Sequence, residues 1–415
     1  MGRTLRQRLK KQSAKVDAHY NNTIVNLQKW MSTKGWKNKT KLRIKAFPQT
    51  GRGISSGTKI ASDGVLISIP LDAMITYDTL ASEILINEKL TIHEYLALFL
   101  AIETNKGSDS KWFHYIKSLP EDTPSLPWLA MSDEIQLFPV DFQTDIDKNI
   151  TMFNTFCCRV QNIRFNECSC IILETSLLKW AFIMVNTRAV HVDPNVISNN
   201  CLNFLLDEPS MALCPFLDMF NHHYLAKTEA NIRSDVNCQT YELRTSAEHK
   251  RHDQIFISYG SHDNFKLLSE YGFFIPKNQY DVVKFSLREV IDILKFHLDE
   301  RKYKFIKNHN LQENLYIGYD GVSFNLKAVF FVGSIFNYNN LNSIVFSDSY
   351  PEQFLNESVP LFVGILIDFT FETFSYDFNR LKDAEIFSDS AKMVKEFLHY
   401  RLSFLDDLRK IYVET

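Results

Sequence analysis

The order of strand-like and helical segments along the chain restricts most strongly the folds that it can adopt. Residues 41–77 alternate apolar and polar residues in short runs between turns rich in Gly, Asp and Pro, a pattern typical of short strands. From about 91 to 185, apolar residues recur every three or four positions, which predicts a long helical insert. Residues 211–275 return to strands and turns, and beyond 280 the pattern is again helical. This order excludes a doubly wound α/β sheet and predicts an α+β fold.

A basic arm begins the sequence. Residues 1–15 hold six Lys and Arg residues and no acidic residue, whereas the whole chain has a formal net charge of -3, so the remainder is acidic. An acidic body does not favour direct binding of nucleic acid. We interpret residues 1–19 as a disordered basic arm, although a nuclear address, a nucleic-acid tether or a transit peptide would have a similar composition. Because no apolar signal segment opens the sequence, we expect the nucleus, the cytoplasm or both as its location.

Neither a membrane span nor a metal site is predicted. The longest apolar runs, Tyr95–Ile102 and Val359–Ile367, are shorter than the roughly 18–20 residues that a spanning helix needs. The seven cysteines are scattered and odd in number, which does not indicate a disulfide framework. Cys168 and Cys170 have a spacing that could bind a metal, but no second pair accompanies them, so the pattern favours buried thiols.

Two short motifs could approach a ligand, although each also has an ordinary structural interpretation. Gly51 and Gly53 flank Arg52, and glycine allows both positive φ and close backbone contact, but a plain turn between strands would use the same residues. Arg188 ends a helix-like run, where it could bind a carboxylate or simply complement the helix dipole. The chain has no phosphate-loop, dinucleotide-binding, zinc-protease or esterase motif.

Polar residues concentrate in one further stretch. Asp218, Asn221, His222 and His223 stand among apolar residues, and buried polar groups need partners. Adjacent histidines are poorly placed to share one metal ion, so the stretch favours a hydrogen-bonded ligand pocket.

Two tyrosines follow this stretch, and each is followed by a glycine. Tyr259 and Tyr271 stand on either side of a helix-like segment. Either tyrosine alone is typical of a protein core. Their order after the Asn-His element is what makes them informative.

Taken in order, these motifs resemble the SET-domain protein methyltransferases, and most closely the subgroup of the plant Rubisco large-subunit methyltransferase. The segment KWFHYIKSLP (111–120) also resembles a segment of that subgroup. By motif, the resemblance covers roughly residues 45–275. The helical tail resembles that of the subgroup only in its position and length. The motifs that carry it are TGRG (50–53), NTRAV (186–190), DMFNHH (218–223), FISYG (256–260) and EYGF (270–273).

The resemblance implies a fold and a division into domains. Residues 20–275 would form a SET β-fold, split by the helical insert and closed by a pseudoknot between the Asn-His segment and the C-terminal stretch. Residues 280–415 would form an all-helical domain similar to the substrate-binding domain of the Rubisco enzyme. A monomer is expected.

The resemblance also implies a cofactor and a set of site residues. The cofactor would be S-adenosylmethionine, and Arg188 would bind its carboxylate. Tyr259 would stand at the reacting centre, with Tyr271 as a second tyrosine of the substrate channel and Asp218 as an acid near the substrate amine. The other residues expected to bind the cofactor are Gly51, Arg52, Gly53, Asn221 and His222, together with Tyr259.

Four functions stay open at this point. The first is methylation of lysine on a protein substrate, with histones among the candidates. The second is methylation of histidine, although the branch that does this is expected to carry Asn at position 190 and Trp at position 217, where this chain has Val190 and Leu217. The third is a cofactor-binding scaffold or chromatin adaptor without catalysis, and the fourth is an unrelated helical interaction protein.

Overall fold

A computed structural model describes residues 22–83, 88–163, 173–195, 205–235, 238–335 and 340–414. It forms two compact units, each made of two chain segments. The first comprises Met1–Pro124 and Asn149–Tyr259, and the second Ser125–Lys148 and Gly260–Thr415. The basic arm and the cysteines 168 and 170 lie outside the described residues.

The first unit contains short strands that flank the helical insert, as the sequence pattern predicts. The strands are β1 (Leu42–Phe47), β2 (Gly51–Ser56), β3 (Gly64–Pro70), β4 (Val190–His191), β5 (Met211–Ala212), β6 (Asn221–His222), β7 (Thr228–Asp235), β8 (Cys238–Thr245) and β9 (Gln254–Ile257).

These strands form three small sheets, in the orders β1-β2-β9-β6, β3-β8-β7 and β4-β5. Most neighbours are antiparallel, but β6 runs parallel to β9 and pairs Asn221 with Phe256 and His222 with Ile257. This pairing, on which the predicted pseudoknot depends, places the Asn-His strand beside the strand that leads into Tyr259.

The helices of the first unit carry the other residues that the motifs predicted, among them Arg188 at the end of α7. They are α1 (22–33), α2 (Tyr77–Glu83), α3 (Ile92–Asn105), α4 (Phe113–Ile116) and α7 (Thr175–Arg188), while α6 (Val140–Asn162) belongs partly to each unit. A capping box of Thr91 and Glu94 starts α3, whose residues are almost all buried. The α7 helix packs against α3 and ends at Arg188, because Ala189 is already extended and leads into β4.

The second unit is mainly helical and has its own apolar core. Its helices are α5 (Ser132–Ile135), the first part of α6, α8 (Asn264–Tyr271), α9 (Leu287–Leu294), α10 (Glu300–Asn308), α11 (Phe324–Ser334), α12 (Leu341–Phe346), α13 (Val359–Asp383) and α14 (Asp389–Tyr412). A π-helical turn, Phe354–Ser358, precedes α13.

The C-terminal part was predicted to be all-helical, but it also contains an antiparallel three-stranded sheet. The strands β10 (Val282–Phe285), β11 (Leu315–Gly318) and β12 (Gly321–Val322) have two to four residues each. Runs this short show no clear period of two among helical segments, so the sequence pattern did not reveal them.

Candidate functional site

Tyr259 is held at both its backbone and its hydroxyl. Its backbone N–H donates to Nδ1 of His222 (3.0 Å), and the two rings stack with centroids 5.1 Å apart. Its hydroxyl donates to the carbonyl of Phe220 (2.6 Å). Because Nδ1 of His222 accepts this bond, the ring is neutral and carries its proton on Nε2. The β6–β9 pairing thus fixes the tyrosine and the Asn-His strand as one rigid group.

The start of β2, with the residue before it, is attached to this group through Asn221. Its Nδ2 donates to the carbonyls of Arg52 (3.0 Å) and Thr50 (3.3 Å). A Cβ at Gly53 would lie 2.8 Å from that Nδ2 and 2.6 Å from Nε2 of Gln254, so this position needs glycine for close approach. Gly51 needs glycine for a different reason, since its φ is 65°.

Arg52, between these glycines, points into the first unit. Its Nη1 donates to the carbonyl of Ser118 (2.9 Å), just after α4. The side chain therefore fastens the turn to the helical insert. The sequence motif predicted a role for the backbone at Arg52. The contact of its side chain with Ser118 was found only in the structure.

Arg188, Asp218 and Tyr115 form a buried polar cluster. Nη1 of Arg188 donates to the backbone carbonyl of Asp218 (3.0 Å) and to its Oδ2 (3.4 Å), and the Tyr115 hydroxyl donates to the same Oδ2 (3.2 Å). The side chain of Asp218 is fully buried. Phe216, two residues earlier, has a φ of 70°, an unusual conformation for a non-glycine residue, and the 3₁₀ turn Leu217–Met219 follows it.

The electrostatics of the cluster raise the pKa of both its acid and its phenol. Burial raises the pKa of Asp218, and the nearby guanidinium groups of Arg188 and Arg52 oppose that rise. Burial also raises the pKa of Tyr115 well above its usual range, and the charge of Asp218 adds to the effect. Tyr115 is therefore a neutral donor at physiological pH.

Two polar atoms of this cluster are buried without a hydrogen-bond partner in the described parts of the chain. They are Nε of Arg188 and Oδ1 of Asp218. An unpaired buried donor on a cation is costly, and a ligand carboxylate is the group that satisfies it best. Tyr115 was not among the residues singled out from the sequence, although it lies in the segment KWFHYIKSLP that carries part of the resemblance.

Tyr271 ends α8 and belongs to the second unit. Its ring stacks with His262, with centroids 6.2 Å apart. Burial raises its pKa to about 12, and the neighbouring Glu270 contributes to the rise. Its role as a channel tyrosine stays a prediction.

The two adjacent histidines have separate partners rather than a common one. Nδ1 of His223 accepts from the backbone N–H of Leu225 (3.1 Å), whereas His222 serves Tyr259. Among the residues that the structure describes, no three His, Cys, Asp or Glu side chains are grouped as metal ligands would be.

Comparison with known proteins identifies close relatives over most of the chain. No family model matches the sequence. The chain is 32% identical over 322 residues to SET domain-containing protein 4 of Artemia parthenogenetica, an alignment that covers 74% of this chain and 77% of that protein. It is 30% identical over 345 residues to SET domain-containing protein 4 of Homo sapiens, covering 78% and 76%.

A solved structure has the same fold at low sequence identity. The SET domain of Rubisco LSMT, solved with lysine and AdoHcy, superposes with a TM-score of 0.59 and 16% identity. The superposition covers 94% of this chain and 91% of that one, which extends the fold likeness beyond the motif region. With two relatives at 30% identity or more over three quarters of their length, the chain belongs to the SET domain-containing protein 4 family of SET-domain proteins.

Proposed function

We propose that the chain is an S-adenosylmethionine-dependent protein-lysine N-methyltransferase. The observation that carries the proposal is the position of Tyr259, fixed by His222 and the Phe220 carbonyl beside the Asn-His strand. A ring and a hydroxyl held in this way suit a residue that orients a reacting group.

The chain's residues fit the proposed cofactor. The unpartnered Nε of Arg188 suits its carboxylate, and the ordered turn at Gly51–Gly53 with Asn221 and His222 offers backbone and side-chain groups for the rest. When bound, the cofactor supplies an electrophilic methyl group on a sulfonium that already carries its leaving group. The protein then has mainly to position the acceptor, and positioning can contribute about 7–11 kcal/mol to lowering a barrier.

Tyr259 would act toward a substrate as a hydrogen-bond acceptor. Its only hydroxyl proton is donated to the Phe220 carbonyl, so its oxygen offers lone pairs. An oxygen held in this way can orient an N–H of the acceptor amine and stabilise positive charge as it shifts towards nitrogen. It is not suited to be the general base, because a phenol with a pKa near 10 accepts a proton poorly at neutral pH.

We propose lysine rather than histidine as the acceptor. Leu217 is buried and Val190 is partly buried, and both are aliphatic, which suits a lysine stem. A structurally similar SET domain was solved with lysine bound. Histidine methylation is therefore the second candidate, and a scaffold without catalysis is the third.

The proposed substrate is a protein that exposes a lysine. We also propose that the enzyme acts as a monomer and that it is located in the nucleus, the cytoplasm or both. The basic arm suits a nuclear address, which would make histones and other nuclear proteins accessible. We propose no nucleic-acid, membrane or metal requirement for the reaction.

The test is to incubate the purified chain with labelled S-adenosylmethionine and an extract from cells that lack the protein, and then to map the label by mass spectrometry. We expect label on lysine. Label on histidine would select the second candidate, and cofactor binding without any transfer would select the scaffold.

Cofactor binding is tested separately by isothermal titration. Arg188→Ala or Asn221→Ala should weaken S-adenosylmethionine binding by about 1–3 kcal/mol, because buried polar partners are lost. Arg233→Ala is the control, since that arginine is exposed and its ion pair with Glu242 is long (3.8 Å). Unchanged affinity in both site variants would remove these residues from the cofactor site.

A further inference from the structure

Negative charge is missing from the first part of the sequence well beyond the basic arm. Residues 18–62 contain nine Lys and Arg residues and no Asp or Glu, although the whole chain has a formal net charge of -3. A surface that serves only solubility normally mixes both signs. The first unit therefore begins with a basic segment, and the acidic residues lie in the rest of the chain.

Exposed cations alternate with anchored residues where this segment leads into β1. Every odd position from 37 to 45 holds Lys or Arg and is exposed, whereas every even position from 36 to 44 is buried or half-buried. The alternation places the five cations on the outer side of the chain. We call them the basic row: Lys37, Lys39, Lys41, Arg43 and Lys45.

The residues between the cations fix the backbone of the row. Trp36 and Leu42 are buried. Nδ2 of Asn38 donates to the carbonyl of Leu42 (3.0 Å), and Oδ1 accepts from the backbone N–H of the same residue (2.7 Å). The hydroxyl of Thr40 donates to the carbonyl of Leu66 (2.8 Å). Because the backbone is already ordered, little conformational entropy is lost when the row binds a ligand.

The positive charge of the row is not neutralised by neighbouring acids. Within the described residues, none of its five side chains forms an ion pair. The loop before β9 adds Arg251 and His252. The pKa of His252 is lowered, first by desolvation and then by Arg251 and two cations of the row, so these groups lie close together. The same loop has two acids: Glu248 pairs with Lys59 (2.8 Å), and the exposed Asp253 offsets one cation.

The side chains of this surface favour one kind of partner. Residues 37–46 include no aromatic residue, and none of their exposed side chains is large and apolar. Protein interfaces have an apolar core that is often aromatic, and helices on membranes insert an apolar face. Single-stranded nucleic acid is bound largely by stacking on aromatic rings. The phosphate backbone of a duplex needs none of these and is bound by Lys and Arg alone.

We propose that the basic row binds the phosphate backbone of duplex DNA without reading its sequence. Each Lys or Arg would neutralise a phosphate and release the counterions condensed there, so the affinity falls as salt rises. Methyl transfer does not require this contact. The binding is measured without cofactor or protein substrate, so it can fail independently of the proposed activity.

The test measures the fluorescence anisotropy of a labelled duplex of about 20 base pairs with the full chain at several salt concentrations. We expect saturable binding and equal affinity for two unrelated sequences. One variant combines Lys37→Gln, Lys39→Gln and Arg43→Gln. It should lower the magnitude of the slope of log K against log salt by about 2.7, because each phosphate contact contributes about 0.9. Its melting temperature and S-adenosylmethionine affinity should be unchanged, because the three side chains are exposed.

A matched control makes the same change in net charge elsewhere. It combines Arg288→Gln, Lys304→Gln and Lys392→Gln, which are exposed cations of the second unit, and should leave the slope unchanged.

Four results would overturn the proposal. The duplex does not bind, or the control behaves like the row variant. Neutralising the six cations of residues 1–15 removes the salt dependence while the row variant leaves it intact. Phosphatidylserine vesicles or a polyglutamate peptide displace the row-bound duplex as well as unlabelled duplex does at equal charge concentration.

Discussion

The carboxylate of Asp218 acts through its neighbours. It is fully buried, receives the Tyr115 hydroxyl and pairs with Arg188, whose Nη1 also binds the backbone carbonyl of the same residue. A buried guanidinium without such a partner would carry a large desolvation cost. The two contacts therefore hold the guanidinium of Arg188 through Nη1, while its Nε has no hydrogen-bond partner among the described residues. Direct contact of Asp218 with a substrate amine stays a prediction.

Tyr115→Phe should weaken cofactor binding without removing any group that the cofactor touches. The variant loses the hydrogen bond that steadies Asp218 and, through it, Arg188, so we expect the dissociation constant for S-adenosylmethionine to rise about three- to tenfold. Tyr412→Phe is the matched control, since its hydroxyl donates to the Gly318 carbonyl (2.8 Å) within the second unit. If both variants lower the melting temperature alike and neither changes the affinity, the positioning role is wrong.

The motifs predicted residues of the candidate site, but not the contacts that join them. Arg188, Asn221, His222 and Tyr259 follow from short patterns along the chain. Tyr115 is 103 residues from Asp218 in sequence, and its partner oxygen has no local signature. The contacts to the Ser118 and Phe220 carbonyls could not be foreseen either, because every residue has a backbone carbonyl.

The start of a helix in this fold can be fixed by a polar side chain that is distant in sequence. The start of α14 is an example: Oε1 of Glu134 accepts from the backbone N–H groups of Phe387 (2.7 Å) and Ser388 (3.0 Å), and Oε2 accepts from Met131 (3.0 Å). Burial alone would raise the pKa of Glu134, but these bonds and that of the Ser388 hydroxyl outweigh it and lower the pKa to about 2.

Glu134→Gln should destabilise the protein in a pH-dependent way. The folded pKa of about 2 lies below the usual value of 4.5, so the carboxylate stabilises the fold above about pH 4.5 and this contribution is lost as the pH falls toward 2. Urea unfolding at neutral pH should show a loss of about 1–3 kcal/mol, which shrinks in acid. Glu385→Gln, at an exposed site, is the control. A loss that stays constant with pH would contradict the assignment.

The helices were the elements most accessible to prediction, since their apolar residues repeat over three or more turns. The two-residue strand β6 was not, because its identity depends on pairing with β9 rather than on its own sequence. The strands β10 to β12 were not predicted from the sequence for the same reason.

At the scale of the whole molecule, a buried ion pair joins distant segments of the second unit. Asp281 is fully buried, accepts from Nδ2 of Asn264 (2.9 Å) and the Tyr400 hydroxyl (2.8 Å), and pairs with Arg401 (3.1 Å). These contacts join α8, β10 and α14 across more than a hundred residues. A domain boundary between 275 and 280, as the motifs suggested, would separate Asn264 from Asp281.

Arg401→Leu should therefore cost much more stability than the loss of an exposed arginine on the same helix. Removing the cation leaves Asp281 buried and uncompensated, and we expect a loss of about 3–5 kcal/mol in the free energy of unfolding. Arg409→Ala breaks the Asp368 pair, whose partners are about half exposed, and should cost less than about 1 kcal/mol. If denaturant unfolding shows similar losses in the free energy of unfolding for the two variants, the Asp281 network does not contribute the predicted stability.

The rate of methyl transfer by the Tyr259→Phe variant tests the central claim most directly. The substrate for this assay is the protein whose lysine is mapped in the labelling experiment. The phenylalanine keeps the ring stacked on His222 and removes only the hydroxyl oxygen. We predict a fall in kcat on the order of a hundredfold, with S-adenosylmethionine affinity and melting temperature nearly unchanged. A change in kcat below about threefold, with a lowered melting temperature, would contradict the account and make Tyr259 a core tyrosine.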